Sequence, residues 1–159
     1  MIKKIICPTD FSKAADNGVG YAANFAQVLG AELMLVNLQR LFPAAAAVSM
    51  AEGMTSNVRE NALLISDRLN SRSSNLHKMF DISVAAEVEL TSESLAEILS
   101  TPTGNAMIIM GSNGADDLFQ RIFGSTTYRV IKSTKSPVLM IPEHVSFGSI
   151  QKIVMAWDY

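Results

Sequence analysis

The chain has 159 residues, of which 48% are hydrophobic and 18% are charged. This composition is typical of one globular domain and excludes a disordered chain. The net charge of −2 gives no reason to expect a nucleic acid or an anionic membrane as a partner. The single cysteine, Cys7, excludes an internal disulfide, and no apolar run approaches the about 18 residues of a membrane span. Because the N-terminus also lacks a signal-peptide pattern, we expect a cytoplasmic protein.

Strands and helices are predicted to alternate along the first part of the chain. Residues 4–7 form a short buried strand, and Ser12 is a suitable N-cap for an amphipathic helix over 13–29. Gly30 is placed to end that helix. A second strand over 32–38 is apolar through its middle, which is typical of parallel sheets covered on both faces.

The alternation continues in the second part of the chain. Apolar spacing predicts a long helix over 55–78, and a third strand follows over 82–88. Ser92 is the predicted N-cap of a short helix that ends before Pro102, because the residue preceding a proline avoids helical dihedrals. The last predicted elements are a strand over 106–110, a helix that opens at Gly124-Ser125 and a strand over 138–141.

This order predicts an α/β fold, a five-stranded parallel sheet with helices on both faces and right-handed crossovers. We expect the strand order 3-2-1-4-5. In open sheets of this kind a ligand lies beyond the carboxyl ends of the strands, where the strand order reverses. The loops after the first and fourth strands, Pro8-Thr9-Asp10 and Gly111–Gly114, should therefore face each other across a crevice.

The loops around the fourth strand have the chemistry of anion binding. Gly111 and Gly114 are three residues apart, so backbone N–H groups can approach a phosphate without side-chain interference. Nine residues later, Gly124-Ser125 offers unpaired N–H donors and a hydroxyl at a helix N-terminus. The whole pattern, closed by the strand that begins at Pro137-Val138, resembles the nucleotide-binding signature of the universal stress protein family.

The resemblance covers residues 2–142 and implies a universal stress domain over 1–142, with a Rossmann-like fold similar to that of adenine nucleotide alpha hydrolases. It implies ATP, alone or with Mg²⁺, as the ligand, and a homodimer formed through the edge of the fifth strand. Leu38 matches the position that lines the adenine pocket. The residues that the resemblance places at the nucleotide are Pro8, Thr9, Asp10, Leu38, Met110, Gly111, Ser112, Gly114, Gly124, Ser125 and Thr126.

Two points stay open within this resemblance. Asp10 could accept a hydrogen bond from a ribose hydroxyl or an adenine amine, or it could only favour the start of the following helix. Asn113, Ala115, Asp116 and Asp117 stand where the family commonly has cationic or small polar residues. A carboxylate about 6 Å from a triphosphate would weaken binding by about 0.7–3 kcal/mol per charge pair, unless it points into solvent or Mg²⁺ joins it to the phosphates.

The sequence shows no arrangement of side chains for catalysis. His77 and His144 have no acidic or cysteine partners at ligand spacing, so no metal site is expected. Ser125 has no histidine in a motif that would activate it as a nucleophile. Arg121 and Arg129 flank the turn before Ser125, and either could reach a phosphate or lie on a solvated helix face.

Residues 40–54 have no clear periodicity. The run contains four consecutive alanines but no polar face, so it fits neither an amphipathic helix nor a strand. It is interpreted either as a loop packed on the domain or on a partner subunit, or as a mobile cover over a site.

The C-terminal segment resembles the start of the chain. Residues 152–159 align without gaps on residues 4–11, with Lys, Ile, an aliphatic residue, Asp and an aromatic residue in register. This match predicts that residues 143–159 are a linker plus the first strand of a truncated second universal stress unit. Because a strand without a sheet is prone to aggregate, we expect residues 151–157 to add to a sheet edge, in this chain or in a neighbour.

The sequence therefore predicts a non-catalytic, adenine-nucleotide-binding universal stress domain that acts through nucleotide-dependent conformation or partner binding. The alternative function is a dimerisation or interaction module with a vestigial site, in which the edge of the strand over 138–141 forms the interface. An enzyme such as an adenylyl transferase is not favoured, since no catalytic His or Lys motif follows the first strand.

Overall fold

The computed structural model describes residues 1–40, 51–101, 104–112, 125–148 and 150–155, with the backbone alone at 51–57. Five strands lie in these residues: β1 Lys4–Pro8, β2 Glu32–Arg40, β3 Val84–Thr91, β4 Ala106–Ser112 and β5 Val138–Pro142. Four helices lie in the same residues: α1 Lys13–Leu29, α2 Ala51–Phe80, α3 Leu95–Ile98 and α4 Ser125–Ser133.

The strands form one parallel sheet in the order β3-β2-β1-β4-β5, which confirms the predicted fold class and strand order. Residues of α1 and α2 cover one face of the sheet in a core that contains Leu35 and Ile109. Residues of α3 and α4 cover the other face, around Val36 and Ile108. The chain runs from β1 towards β2 on one side and β4 lies on the other, so the order reverses between β1 and β4.

Both predicted ends of α1 are confirmed. The Ser12 hydroxyl accepts a hydrogen bond from the backbone N–H of Ala15 at 3.3 Å, as an N-cap does. Gly30 ends the helix in the left-handed region, with φ at +61°, where a side chain would be strained. These two local signals fix the helix that starts beside the cavity described below.

Several other boundaries differ from the sequence prediction. Helix α2 begins at Ala51 rather than at residue 55, so part of the segment 40–54 is helical, whereas residues 41–50 lie outside the described part of the chain. Strand β2 continues to Arg40 because it pairs with β3 as far as Thr91. The same pairing shifts β3 towards its carboxyl end by comparison with the predicted range.

The predicted N-cap of the third helix, Ser92, was wrong, and Ser94 takes this role. The Ser94 hydroxyl accepts from the N–H of Glu97 at 3.4 Å, and the Glu97 carboxylate accepts from the backbone N–H of Ser94 at 2.6 Å. This reciprocal pair is a capping box, which satisfies two backbone donors at once. The acidic residue three positions later explains why the helix starts after Ser94.

The segment after β5 packs back on α1. The side-chain amide of Asn17 donates to the carbonyl oxygens of Pro142 and Val145, both at 2.9 Å. The ring of Phe147 meets the ring of Tyr21 edge to face, with 5.0 Å between centroids. The ordered unit therefore includes residues up to about 148 in addition to the last strand.

The expectation that residues 151–157 add to a sheet edge of this chain is wrong for residues 151–155. These residues are in no strand and are exposed, with 85% of Ile153 accessible to solvent. Residues 156–159 lie outside the described part of the chain. Pairing with a neighbouring molecule stays a prediction.

Candidate functional site

A cavity of about 830 Å³ lies where the sheet order reverses, at the carboxyl ends of β1, β2 and β4. Its volume is within the range of about 300–1,000 Å³ that is usual for small-molecule sites. The capped start of α3 and the first turn of α4 complete the wall. The cavity therefore occupies the position at which open α/β sheets bind ligands.

The predicted site residues that the structure describes all line this one cavity. They come from the β1–α1 loop, from the end of β2, from the end of β4 and from the start of α4. Gly114 and Gly124 lie outside the described residues, as do Asp116, Asp117 and Arg121. The lining residues that were predicted are Pro8, Thr9, Asp10, Leu38, Met110, Gly111, Ser112, Ser125 and Thr126.

The β1–α1 loop is held by short hydrogen bonds of its own side chains. The Thr9 hydroxyl accepts from the N–H of Phe11 at 3.2 Å, and Asp10 Oδ1 accepts from the N–H of Ser12 at 3.0 Å. Phe11 has a φ of +61°, a conformation that is uncommon for an aromatic residue. Asp10 thus favours the turn before α1 through Oδ1, and the same residue lines the cavity.

The pKa of the Asp10 carboxyl lies below its ordinary value of 3.8. Partial burial raises this pKa, but the hydrogen bonds that the carboxylate accepts from Ser12 lower it by more. Asp10 is therefore a carboxylate at neutral pH, so it can accept hydrogen bonds from a ligand but cannot donate one.

We expect Asp10 to stabilise the fold at neutral pH and to lose this contribution in acid. A carboxyl whose pKa is lower in the folded state stabilises it above the unfolded pKa, and the contribution disappears as the pH falls through the folded pKa. Asp10→Asn should therefore be less stable than the wild type at about pH 6 and approach it at about pH 2.5. Urea unfolding at both pH values measures this, and an equal difference at both would contradict it.

The sequence analysis missed several polar lining residues, among them Asn37 and Gln39 of β2 and Ser94 at the start of α3. The Asn37 side chain is buried, with 4% exposed, and donates to the carbonyl oxygen of Thr9 at 2.7 Å. Gln39 Nε2 donates to Asn37 Oδ1 at 2.7 Å. The signal for Asn37 was available, since it is the one polar residue in the otherwise apolar run of residues 33–38.

The charged lining residues favour an anionic ligand. Two guanidinium groups, those of Arg40 and Arg129, line the cavity, against the single carboxylate of Asp10 among the described lining residues. Both arginines act on Glu97, whose pKa is lowered first by hydrogen bonds from Ser94 and further by these positive charges. Arg129, for which the sequence left a solvated helix face as an alternative, lies at the cavity.

The remaining lining combines apolar surface with hydroxyl donors. The apolar side chains include those of Val36, Leu38, Leu95 and Met110, and the hydroxyls include those of Ser125, Thr126 and Thr127. The first N–H groups of α4 have no partner within the helix, and they stand at the same end of the cavity as Ser125. The arrangement can hold a molecule with a flat apolar part and an anionic part.

The described residues contain neither a candidate metal site nor a membrane-spanning helix. Within them, no group of three or more His, Cys, Asp or Glu side chains could hold a metal ion. No helix in the same residues is long and apolar enough to cross a membrane.

A parallel α/β sheet with a ligand-sized cavity at its switch point defines the class of doubly wound, nucleotide-binding-type folds. Within this class, the model of the universal stress protein family matches residues 1–142. The chain belongs to the universal stress protein family, as its signature indicated.

Individual relatives agree with this assignment. Universal stress protein MJ0577 of Methanocaldococcus jannaschii is 28% identical over 160 residues, which covers 89% of this chain and 95% of the relative. The structure of the universal stress protein UspA from Lactobacillus plantarum has a TM-score of 0.70 at 19% identity, covering 87% and 97% of the two chains. A universal stress protein in complex with cAMP has a TM-score of 0.60 at 16% identity, covering 87% and 96%. These structural likenesses establish the fold.

Proposed function

We propose that this protein is an adenine-nucleotide-binding universal stress domain whose ligand is ATP, and that it acts in a stress response. The observation that carries the proposal is that the first-strand motif and the described part of the fourth-strand motif line one cavity. The complex of a relative with cAMP supports an adenine nucleotide as the ligand class. The volume, the two arginines and the apolar wall at Leu38 fit such a molecule.

The proposed roles follow the positions of the described residues in the cavity, and for Gly114 and Gly124 they follow the resemblance to the family signature. Leu38 contacts the adenine, and Asp10 accepts a hydrogen bond from the ribose or the adenine amine. The glycine loop from Gly111 to Gly114 holds the ribose and the phosphates, with Ser112 and Met110 beside it. Pro8 and Thr9 meet the nucleoside from the end of β1, and Gly124, Ser125 and Thr126 bind the phosphates, with Mg²⁺ where it accompanies ATP.

The proposed mode of action is binding without catalysis. No general base is placed at the cavity by the described residues: Asp10 is the carboxylate of the lining, and its lowered pKa makes it a weak base. Nucleotide binding would then act through conformation or through choice of partner. The edge strand β5 is the proposed homodimer interface, and a cytoplasmic location is proposed with it.

The domain organisation is part of the same proposal. Residues 1–142 form the universal stress domain, and residues 143–159 form a linker plus the first strand of a truncated second unit. The packing of Phe147 on α1 and the exposure of Ile153 support a linker that delivers an apolar segment to another molecule or unit.

Isothermal titration with Mg·ATP tests the proposed ligand. We expect micromolar binding by the wild type and a loss of at least about tenfold in Asp10→Ala, because a charged hydrogen bond to the ligand is removed. Asp67→Ala, an exposed aspartate of α2 outside the cavity, is the matched control and should bind as the wild type does. Absence of heat at millimolar ATP would contradict the proposal and support a dimerisation module with a vestigial site.

A further inference from the structure

Two buried polar residues meet at the floor of the cavity. Thr9, directly after β1, is 5% exposed, and Asn37, within β2, is 4% exposed. A buried polar group destabilises a fold unless it is hydrogen-bonded. Here the Asn37 amide donates to the Thr9 carbonyl oxygen at 2.7 Å, from the neighbouring strand of the sheet.

This bond forms where the chain leaves the sheet. The N–H of Thr9 still pairs with the carbonyl oxygen of Val36 at 2.9 Å, as in the ladder of β1 and β2. The Thr9 carbonyl oxygen instead accepts the hydrogen bond from the Asn37 side chain. The backbone then turns at Phe11, which has a φ of +61°. The Asn37 side chain therefore fixes the last peptide before Asp10.

The same side chain is fixed in turn from α2. Gln39 Nε2 donates to Asn37 Oδ1 at 2.7 Å, and Asn61 Nδ2 of α2 donates to Gln39 Oε1 at 3.3 Å. Helix α2 also reaches the loop directly, since the Arg68 guanidinium lies 4.0 Å from the centre of the Phe11 ring. A chain of side-chain amides thus joins α2 to the peptide before Asp10.

We infer that Asn37 is a positioning residue of the nucleotide site, which orients the Thr9–Ser12 loop and hence the Asp10 carboxylate through the Thr9 carbonyl. The expected effect on nucleotide binding rests on the proposed function. The effect on the Thr9–Ser12 loop does not, because it concerns the protein without ligand. Asn37 acts through Asp10, and Gln39 with Asn61 keeps the Asn37 amide turned towards Thr9.

The test compares the same Asn→Leu substitution at two sites, one at the cavity and one on α1 away from it. Asn37→Leu keeps the size of the side chain and removes both hydrogen bonds. Asn24→Leu removes a side-chain bond of similar length, 2.8 Å to the carbonyl of Gly20, on α1 outside the cavity. The readouts are hydrogen exchange of the Phe11 and Ser12 amides without ligand, and titration with Mg·ATP.

We expect exchange of the two loop amides to be about tenfold faster in Asn37→Leu, because the loop loses the hydrogen bond between the Asn37 amide and the Thr9 carbonyl. Exchange in β4 should be unchanged, and Mg·ATP affinity should fall by about tenfold or more. Asn24→Leu should match the wild type in the loop and in affinity. If Asn37 only stabilised the fold as a whole, the amides of β4 would also exchange faster in Asn37→Leu.

Each outcome decides the inference. Loop exchange in Asn37→Leu at the wild-type rate would overturn it. If the wild type binds no nucleotide, the proposed function fails while loop exchange still tests the positioning. If Asn37→Leu does not fold, Gln39→Leu replaces it, and a smaller rise confined to the loop supports the inference, whereas no rise overturns it.

Discussion

Alanine at position 111 is expected to lower the free energy of unfolding by about 3 kcal/mol, near the upper end of the usual cost of overpacking. A Cβ on Gly111 would lie 1.9 Å from the carbonyl oxygen of Ala14 and 2.4 Å from its carbonyl carbon. Both atoms belong to the backbone of α1, so no side-chain rotation relieves the overlap. Strand β4 and helix α1 would have to separate at the edge of the cavity.

Gly18 of α1 lies on the other side of this contact, and alanine there should destabilise the fold in the same way. A Cβ on Gly18 would lie 2.5 Å from the backbone nitrogen of Gly111, so Gly18→Ala should also be strongly destabilising. Gly20, two residues along the same helix, is the matched control, because a Cβ there meets nothing within 4 Å. Gly20→Ala should raise the stability by about 0.5–1 kcal/mol through helix propensity.

Urea unfolding of the three variants measures these differences. Gly111→Ala and Gly18→Ala should unfold at clearly lower urea, and Gly20→Ala at slightly higher urea than the wild type. Equal midpoints for Gly18→Ala and Gly20→Ala would show that α1 does not lie against the end of β4. The packing of the two elements would then need another description.

The fold was predictable because its signals are local. Helix α1 starts at Ser12 and ends at Gly30 as predicted, since each cap depends on residues within a few positions. The order of strands followed from their alternation with helices and from the switch-point rule. The error at Ser92 arose because two serines stand close together, and Glu97 decides between them.

The candidate site was predictable only in part, because the side chains that hold its loops in place come from residues far apart in the sequence. Asn37 reaches Thr9 over 28 positions. The predicted strand order makes their strands neighbours, but nothing in the sequence around either residue indicates the register that brings the two side by side. Gly111 was interpreted as access for a phosphate, and the structure adds a packing role against Ala14. The position of the cavity followed from the fold, whereas the side chains that hold its loops did not.

The second large loss of stability is expected from a substitution in α2, which packs on the sheet through one apolar face. Leu69 is 1% exposed and lies in the core with Leu76 and Leu35, whereas Leu63 on the same helix is 68% exposed. Leu69→Ala removes buried methyl groups and leaves a cavity, so the free energy of unfolding should fall by about 2–5 kcal/mol. Leu63→Ala, the same substitution on the same helix, should change it by less than about 0.5 kcal/mol.

The core of α2 also bears on the site, because this helix contacts both the β1–α1 loop and the first turn of α1. Arg68 lies over the ring of Phe11, and Arg72 forms a salt bridge with Asp16 of α1. If α2 loosens at Leu69, these contacts loosen with it, so Leu69→Ala should also speed exchange of the Phe11 amide while leaving most of the sheet protected. Urea unfolding and hydrogen exchange together test this. Equal losses of stability for Leu69→Ala and Leu63→Ala would mean that α2 does not present this face to the core, and the link from α2 to the loop would lose its support.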